Sequence, residues 1–353
     1  MADKSASTGN TPVKQSESTH RRVRWKSGAM IVCTSIATIA AINTLVLDKT
    51  FRVIGIYYGI AAWGIVAAVW WMLFSGTDSR VRIGLASAVA GTAVAVWSGL
   101  IVRLDFDGAM APIPVWRWQT SAAAERDTWS QGQARTTTSD PTLEAPFAVG
   151  PDDWPRYCGA DGSRVVREAL TIRDWKQHPP EQLWRHPIGE GWSSFAVVGA
   201  RLFTQEQRAD SECIVCYHAE TGNELWVHRD ETRYDTSMGG IGPRATPTVT
   251  DSALYAIGAT GLLTCLNPVT GDLIWQRNVA NDAGTSPPEW GYSGSPLVWG
   301  DTVIVIAGGS DDSGVLAYDH RDGDMIWGSG SHSAGYSSPR IEMIAGKSVL
   351  QST

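Results

Sequence analysis

The sequence lacks the short motifs that mark common nucleotide-binding and hydrolytic sites. It has no P-loop, no dinucleotide fingerprint, no GxSxG nucleophile elbow and no HExxH zinc helix. Its seven histidines do not cluster at metal-ligand spacing. We therefore predict no catalytic residue and no metal ligand from motifs alone.

Basic residues are scarce in the C-terminal part of the chain. Residues 151–353 contain 15 Lys and Arg against 26 Asp and Glu, a net charge of −11, whereas residues 1–150 contain 14 against 10, a net charge of +4. A strongly acidic domain repels phosphate backbones. The balance argues against nucleic acid as a partner.

Charged residues are absent from three long apolar stretches, 28–47, 53–74 and 83–102. As helices rising about 1.5 Å per residue, each is long enough to cross a hydrocarbon core of about 30 Å. A cleaved signal peptide does not fit, because two further spans follow the first. The region 28–103 is therefore predicted to form three transmembrane helices, with the membrane itself as a partner.

The basic residues near these spans predict their orientation. Eight Lys and Arg lie in the tail 1–27 and between the second and third spans, whereas only Lys49, Arg52 and Arg103 lie close to the membrane on the other side. Short cytoplasmic segments retain Lys and Arg. This places the tail 1–27 in the cytoplasm and everything after residue 103 outside.

Residues 104–150 are rich in Ala, Ser, Thr and Pro and show no sustained apolar period. We predict a mostly extended linker. Trp116 and Trp118 mark either an interfacial segment or a contact with the following domain.

A turn that ends on tryptophan recurs after residue 150. AETGNELW at 219–226, PVTGDLIW at 268–275 and HRDGDMIW at 320–327 place a glycine four residues before a tryptophan, with intervals of 49 and 52 between equivalent positions. Each unit is a series of short apolar runs separated by turn residues, which predicts four strands. The glycine permits positive φ between strands three and four, and the indole suits packing between neighbouring sheets.

Four-stranded units of about fifty residues around an axis form a β-propeller. The turns Thr221–Gly222 to Trp226 and Thr270–Gly271 to Trp275, with the weaker Asp322–Gly323 to Trp327, resemble the tryptophan-docking repeat of pyrroloquinoline-quinone (PQQ) β-propellers. The stretches DDWPRYCGADGSRVV at 152–166 and GGIGPRATPTV at 239–249 are similar to those of membrane-associated or exported bacterial members. We therefore expect an all-β propeller of four-stranded antiparallel blades over 151–353, preceded by three transmembrane α-helices.

About three and a half blades are visible in the sequence. Closed propellers have about four to eight blades, so the domain is expected to be a fragment or to be completed by a partner chain. An open stack exposes its edge strands.

The cysteines are interpreted as packing residues. Cys213 and Cys216 have the spacing of a metal or redox pair, but residues three apart in a strand face opposite sides. Cys216 and Cys265 occupy the position that Ala317 takes in the third unit, six residues before the turn glycine, which a small apolar side chain suits. A disulfide between Cys158 and Cys213 is a weaker hypothesis.

Ligands of propellers bind where the innermost strands begin. Alignment of the units places five candidate binding residues at this mouth: Trp192, Arg244, Trp290, Tyr292 and Tyr336. Arg244 follows a glycine-rich segment and is able to bind a carboxylate of PQQ or of another anion. The alternative is that it pairs with acidic residues of the loops and holds the blades together. Four acidic residues are interpreted as solvated loop charges rather than Ca²⁺ ligands: Glu206, Glu289, Asp311 and Asp312.

The resemblance implies two functions. One is a scaffold in the bacterial inner membrane that binds a periplasmic protein or a small ligand and needs no cofactor. The other is a membrane-bound dehydrogenase that oxidises an alcohol or sugar with PQQ and Ca²⁺. The family's dehydrogenases hold PQQ against a disulfide between adjacent cysteines, and this chain has no adjacent pair.

Overall fold

The chain divides into two compact units, Met1–Arg117 and Trp118–Thr353. The computed structural model describes residues 25–46, 49–74, 76, 78–106, 112–119, 125–126, 143, 146–166, 174–236 and 239–351. Most of the basic tail, residues 1–24, lies outside the described residues.

The first unit contains three apolar helices. They are α1 (Trp25–Leu45), α2 (Lys49–Phe74) and α3 (Ser79–Leu100), and each is long and apolar enough to cross a membrane. Asp78 caps α3 by accepting a hydrogen bond of 2.8 Å from the backbone N–H of Arg80. The third helix ends two residues before the predicted span because Ile101 adopts an extended conformation.

A β-hairpin follows α3 directly. It pairs β1 (Ile101–Phe106) with β2 (Pro112–Trp116) in antiparallel register. The segment 104–150 was predicted as an extended linker, and the structure shows that it begins inside this hairpin. Its later residues belong to the second unit, in which Arg126 is buried and Phe147 and Val149 pack against a hydrophobic cluster. Much of the described linker is therefore attached to folded structure rather than free.

The second unit contains three complete four-stranded antiparallel sheets and two two-stranded sheets among the described residues, and the four-stranded sheets have the strand order that the sequence predicts. Blade 1 consists of β3 (Ala196–Val198), β4 (Arg201–Arg208), β5 (Ser211–His218) and β6 (Glu224–Asp230). A small hairpin, β7 (Asp235–Thr236) with β8 (Gly240–Ile241), separates it from blade 2.

Blade 2 consists of β9 (Thr248–Val249), β10 (Leu254–Ile257), β11 (Leu262–Leu266) and β12 (Leu273–Asn278), and the short helix α4 (Val279–Asp282) follows it. Blade 3 consists of β13 (Leu297–Trp299), β14 (Thr302–Ile306), β15 (Val315–Asp319) and β16 (Met325–Ser329). The other two-stranded sheet pairs β17 (Arg340–Ile344) with β18 (Lys347–Gln351).

The turn glycines adopt the backbone conformation that the repeats predict. Gly222, Gly271 and Gly323 have φ values of 70°, 77° and 75°, in the left-handed region that favours glycine. The pairing of strands three and four shifts register at one equivalent place in every blade, next to Cys216, Cys265 and Ala317. The three blades therefore share the same local irregularity as well as the same strand order.

Indole rings lie between successive blades. A side chain on Gly271 would place its Cβ 2.6 Å from the ring of Trp226, and one on Gly323 would place it 2.7 Å from the ring of Trp275. The indole N–H groups of these two residues donate to the backbone oxygens of Pro268 and His320, at 3.2 Å and 3.1 Å. The prediction of an indole wedge between sheets is confirmed for both.

Trp184 makes the same contact one blade earlier. Its ring lies 2.6 Å from the Cβ position of Gly222, and its indole N–H donates to the oxygen of Ala219 at 2.8 Å. Trp184 is not among the residues predicted from the sequence, although LWRH at 183–186 parallels LWVH at 225–228.

All five cysteines are free thiols. Cys213 and Cys216 are buried in different hydrophobic clusters on the two sides of β5, as their spacing predicts. Cys158 accepts a hydrogen bond of 3.0 Å from Nε of Arg164, so the hypothesis of a Cys158–Cys213 disulfide is not supported. Burial raises the pKa of Cys213 to about 11 and that of Cys265 to about 12, which keeps both thiols protonated.

Candidate functional site

Three exposed aromatic rings lie around a bare glycine backbone at the mouth, the end of the blades where the inner strands begin. Gly240 lies against Trp192, since a Cβ there would be 3.3 Å from the indole nitrogen, and the Cβ position of Gly239 is 3.5 Å from Cα of Trp290. The Trp290 ring stacks on Tyr336 with centroids 5.2 Å apart and an angle of 24°. We call this arrangement the aromatic slot: Trp192, Gly239, Gly240, Trp290 and Tyr336.

The rings of the slot are open to solvent. Trp192 is 69% exposed, Trp290 45% and Tyr336 43%. Large apolar surfaces that remain exposed at a concave site commonly bind a ligand or a partner. A flat ligand is able to stack on such rings while its edge approaches the glycine backbone.

Arg244 lies beneath the slot and holds the glycine loop. Its guanidinium donates to the backbone oxygens of Gly239, of Gly240 at 3.3 Å and of Gly242 at 2.5 Å, and it lies 4.9 Å from the centroid of the Tyr234 ring. Burial lowers the pKa of Arg244 from its usual value, but a guanidinium stays charged in proteins. The predicted alternative, pairing with loop acids, is thus replaced by pairing with loop carbonyls.

Tyr234 is a part of this site that sequence reasoning did not identify. Its hydroxyl donates to the backbone oxygen of Glu289 at 2.5 Å, which ties the Arg244 loop to the loop that carries Trp290. No motif surrounds Tyr234 that would have marked it. Its role follows only from the contact between two loops that are far apart in the sequence.

Tyr292 does not join the slot. It is 3% exposed, and its hydroxyl donates to the backbone oxygen of Ala307 at 2.9 Å. Burial raises the pKa of Tyr292 to about 12. The structure therefore places this residue in the core between blades 2 and 3, whereas the other four predicted residues lie at the mouth.

A buried carboxyl group lies close to the site. Glu212, 5% exposed, accepts a hydrogen bond of 2.9 Å from the backbone N–H of Ala259. Burial raises the pKa of Glu212 to about 7; Asp230 raises it further, whereas Arg244 and the hydrogen bond from Ala259 lower it. The mouth therefore contains a carboxyl group that changes charge near neutral pH.

Glu206 is not the solvated loop charge that the sequence predicts. It lies in β4, 1% exposed, and accepts hydrogen bonds from Arg208 and, at 2.8 Å, from the hydroxyl of Tyr217. Arg126 lies 3.6 Å from Glu206 and 2.8 Å from Glu224. Arg208 also pairs with Glu224 at 2.9 Å. We call these four charged side chains and Tyr217 the ionic cluster; its formal charge is zero, with two cations and two anions.

A cleft of about 1340 Å³ extends from the slot along the inner strands. Its lining combines residues of the slot, serine and threonine side chains of the inner strands, and the loop 155–164. Four arginines line it: Arg156, Arg164, Arg244 and Arg340.

The slot fits the organic part of a quinone cofactor better than the metal part. Exposed rings over a half-buried guanidinium suit a planar anion. Within the described residues, no group of three or more His, Cys, Asp or Glu side chains is arranged to hold a metal ion, and no two cysteines are adjacent in the sequence. We therefore derive no reaction step through PQQ or Ca²⁺.

Residues 210–352 match the family model described as outer membrane protein assembly factor BamB (PQQ_2). This part of the chain is therefore similar to PQQ-like repeat regions. The matched region begins at the turn between β4 and β5 and includes blades 2 and 3 and the strands β17 and β18. No curated protein matches the chain.

Among solved structures, the chain is similar to quinohemoprotein alcohol dehydrogenase from Comamonas testosteroni, with 19% identity, a TM-score of 0.41, and coverage of 59% of this chain and 30% of that one. BamB from Moraxella catarrhalis has 19% identity and a TM-score of 0.28, with coverage of 40% and 36%. A europium-containing methanol dehydrogenase has 17% identity and a TM-score of 0.30, with coverage of 39% and 24%. The chain thus spans about a third or less of the length of these proteins, and such similarity supports no assignment of activity.

Proposed function

We propose that the protein is a scaffold anchored in the bacterial inner membrane by α1–α3, whose propeller binds a ligand or a protein on the periplasmic side without turnover. The observation that carries the proposal is the aromatic slot, in which exposed rings flank bare glycine backbone above Arg244. The excess of basic residues in the tail and in the loop between α2 and α3 supports a cytoplasmic N-terminus.

The chemistry of the slot favours a flat ligand with a negative charge. Aromatic faces contribute contact area without a preference for charge, and the guanidinium below supplies an attractive potential. Three of the hydrogen bonds of Arg244 go to its own loop. Its charge therefore acts on the ligand while its geometry stays fixed by the protein.

A membrane-bound quinoprotein dehydrogenase is the second candidate. The observation in its favour is the same pair of features, a planar platform and a cation, which fit the rings and the carboxylates of PQQ. A scaffold and an enzyme differ in whether the bound ligand supports electron transfer from an alcohol or a sugar.

The test uses the full-length protein in detergent micelles. PQQ, with and without Ca²⁺, is titrated while tryptophan fluorescence is recorded, and reduction of an artificial electron-acceptor dye is then assayed with a panel of alcohols and sugars. Ligand binding without dye reduction supports the scaffold, whereas substrate-dependent dye reduction supports the dehydrogenase.

Variants locate the binding. Trp192→Ala is expected to weaken ligand binding about tenfold through loss of one stacking surface, and Tyr336→Ala is expected to do the same. Trp175→Ala is the matched control, because Trp175 is 68% exposed and lies outside the cleft. Equal effects of the Trp192 and Trp175 variants would contradict a site at the slot.

A further inference from the structure

The cleft is larger than a small ligand needs. Its volume of about 1340 Å³ exceeds the roughly 300–1,000 Å³ that small-molecule sites occupy. The slot takes up only its mouth, and most of the lining belongs to inner strands and to the loop 155–164. A longer occupant fits this shape.

The charge of the cleft is opposite to that of its surroundings. Residues 151–353 carry a net charge of −11, yet four arginines and only two carboxylates, Asp161 and Glu342, line the cleft. A positive groove in an acidic domain attracts a partner of opposite charge and rejects basic ones.

These arginines are only partly neutralised by their neighbours. Arg164 donates to the sulfur of Cys158 at 3.0 Å, and Arg156 donates to the backbone oxygen of Ala160 at 2.9 Å. Arg340 lies 3.3 Å from a carboxylate oxygen of Glu342. The contacts of Arg164 fix its position without cancelling its charge, so it is available to an acidic group.

The inner strands already accept extended backbone from this chain. Trp154 pairs with Val197 of β3 in antiparallel fashion, with N–O distances of 2.9 Å and 2.8 Å, and the backbone oxygen of Pro155 accepts from the N–H of Val249 in β9 at 2.8 Å. Segment 154–155 thus covers the inner edges of blades 1 and 2.

The inner edge of blade 3 remains open in the described part of the chain. There β13 pairs with β14 on one side and with no second strand, and its residues 297–299 line the cleft. An unpaired strand edge offers a row of N–H and C=O groups to an extended peptide. The inner edge of blade 3 thus lacks the extended partner that segment 154–155 supplies to blades 1 and 2.

We propose that the cleft binds an extended acidic peptide segment, which adds to the free inner edge of β13 while its carboxylates face the arginines of the cleft. The proposal rests on the proposed function in treating the domain as a binding scaffold. It adds the class of partner, and its key residues, Arg164 and β13, lie outside the aromatic slot.

The test measures fluorescence anisotropy of labelled peptides with the full-length protein in detergent micelles. The probe is an octapeptide of alternating Glu and Val, compared with one of alternating Lys and Val. A third peptide has the Glu–Val sequence with alternate backbone nitrogens methylated, which removes the donors that a strand needs. We expect binding of the first, none of the second, and at least about tenfold weaker binding of the third through lost backbone hydrogen bonds.

Charge reversal identifies the cleft. Arg164→Glu is expected to weaken binding of the acidic peptide about tenfold, since it removes an attraction and adds a repulsion. Arg321→Glu is the control, because its side chain is 71% exposed and lies outside the cleft, and it should leave the affinity unchanged. Thermal melting of each variant checks that the fold is retained.

Three results would overturn the proposal: no binding of the acidic peptide, equal affinity for the methylated peptide, or equal effects of the Arg164 and Arg321 variants. The proposed function has a separate readout, the binding of PQQ at the slot. Binding of PQQ without binding of the acidic peptide would refute only the peptide site. Absence of binding of both PQQ and the peptide would refute the scaffold function.

Discussion

At the scale of single residues, the turn glycines set how closely an indole ring approaches the next blade. Gly271 combines two requirements, a φ of 77° and a ring atom of Trp226 at 2.6 Å from its Cβ position. Gly300 shares the first, with a φ of 58°, and lacks the second, because nothing lies within 4 Å of its Cβ position. A comparison of Gly271 with Gly300 therefore separates the energetic cost of backbone strain from the cost of a steric clash with the Trp226 ring.

Gly271→Ala is therefore expected to destabilise the second unit by about 3 kcal/mol, from strain and overpacking together. Gly300→Ala is expected to cost about 1 kcal/mol, from strain alone. Urea denaturation followed by circular dichroism measures both. If the two variants lose equal stability, the indole contact does not limit the site.

Glu212 predicts how stability depends on pH. Its carboxyl has a pKa raised from 4.5 to about 7 in the folded protein, so the folded state retains a proton that the unfolded state releases. The contribution of Glu212 to the free energy of unfolding is therefore fully present below about pH 4.5. It is lost as the pH rises to about 7, and the loss is on the order of 3 kcal/mol. Two charged groups act on this carboxyl: Asp230 raises its pKa further, and Arg244 lowers it.

Glu212→Gln is expected to flatten this part of the profile, because the amide oxygen is still able to accept from Ala259 and carries no charge. Urea denaturation at pH 5 and pH 8 gives the measurement. Glu220→Gln, at an exposed turn position, serves as the control and should keep the wild-type slope. A Glu212→Gln protein with an unchanged slope would assign the pH dependence to another group.

Residues whose roles repeat in every blade are predictable from the sequence, whereas residues that act at one place only are not. The turn glycines and the indoles recur at fixed spacing, so periodicity was enough to find them, and alignment of the units led to four of the residues at the mouth. Arg126, Glu212 and Tyr234 each make contacts with partners far away in the sequence, and no neighbouring pattern marks them. Tyr292 aligned with the mouth, but its ring turns into the core beneath Gly261.

At the scale of elements, the ionic cluster attaches the segment around Arg126 to blade 1. Arg126 is 2% exposed and pairs with Glu224 of β6 at 2.8 Å and with Glu206 of β4 at 3.6 Å. Removal of one partner from such a cluster lowers the stability of the fold, because the remaining buried charge is no longer compensated. The attachment converts part of the predicted linker into a component of the propeller.

Arg126→Ala leaves the buried carboxylate of Glu206 and the partly buried carboxylate of Glu224 with Arg208 as their remaining cation within the cluster. The expected loss of stability is about 3 kcal/mol. Arg233→Ala removes an exposed pair with Asp235, whose side chains are 33% and 46% exposed, and is expected to cost less than about 1 kcal/mol. Urea denaturation of both variants is the measurement, and similar small losses would mean that the cluster does not hold the segment.

At the scale of the whole molecule, the chain contains its own probe of orientation. Cys158 is a half-buried free thiol in the second unit, whereas Cys213, Cys216 and Cys265 are buried and Cys33 lies in α1. A membrane-impermeant maleimide should therefore react selectively with Cys158, from whichever side of the membrane carries the propeller. The excess of basic residues in the tail predicts the periplasmic side.

Spheroplasts of a bacterial host that express the full chain should show labelling of Cys158 before permeabilisation, and Cys158→Ser should abolish it. A cysteine placed in the tail by Ser16→Cys, in the Cys158→Ser background, should react only after the membrane is opened. Because eight basic residues on one side compete with three on the other, reversed labelling would show that positive charge does not set the topology of this protein. It would also move the aromatic slot and the cleft to the cytoplasm, where a periplasmic partner has no access to them.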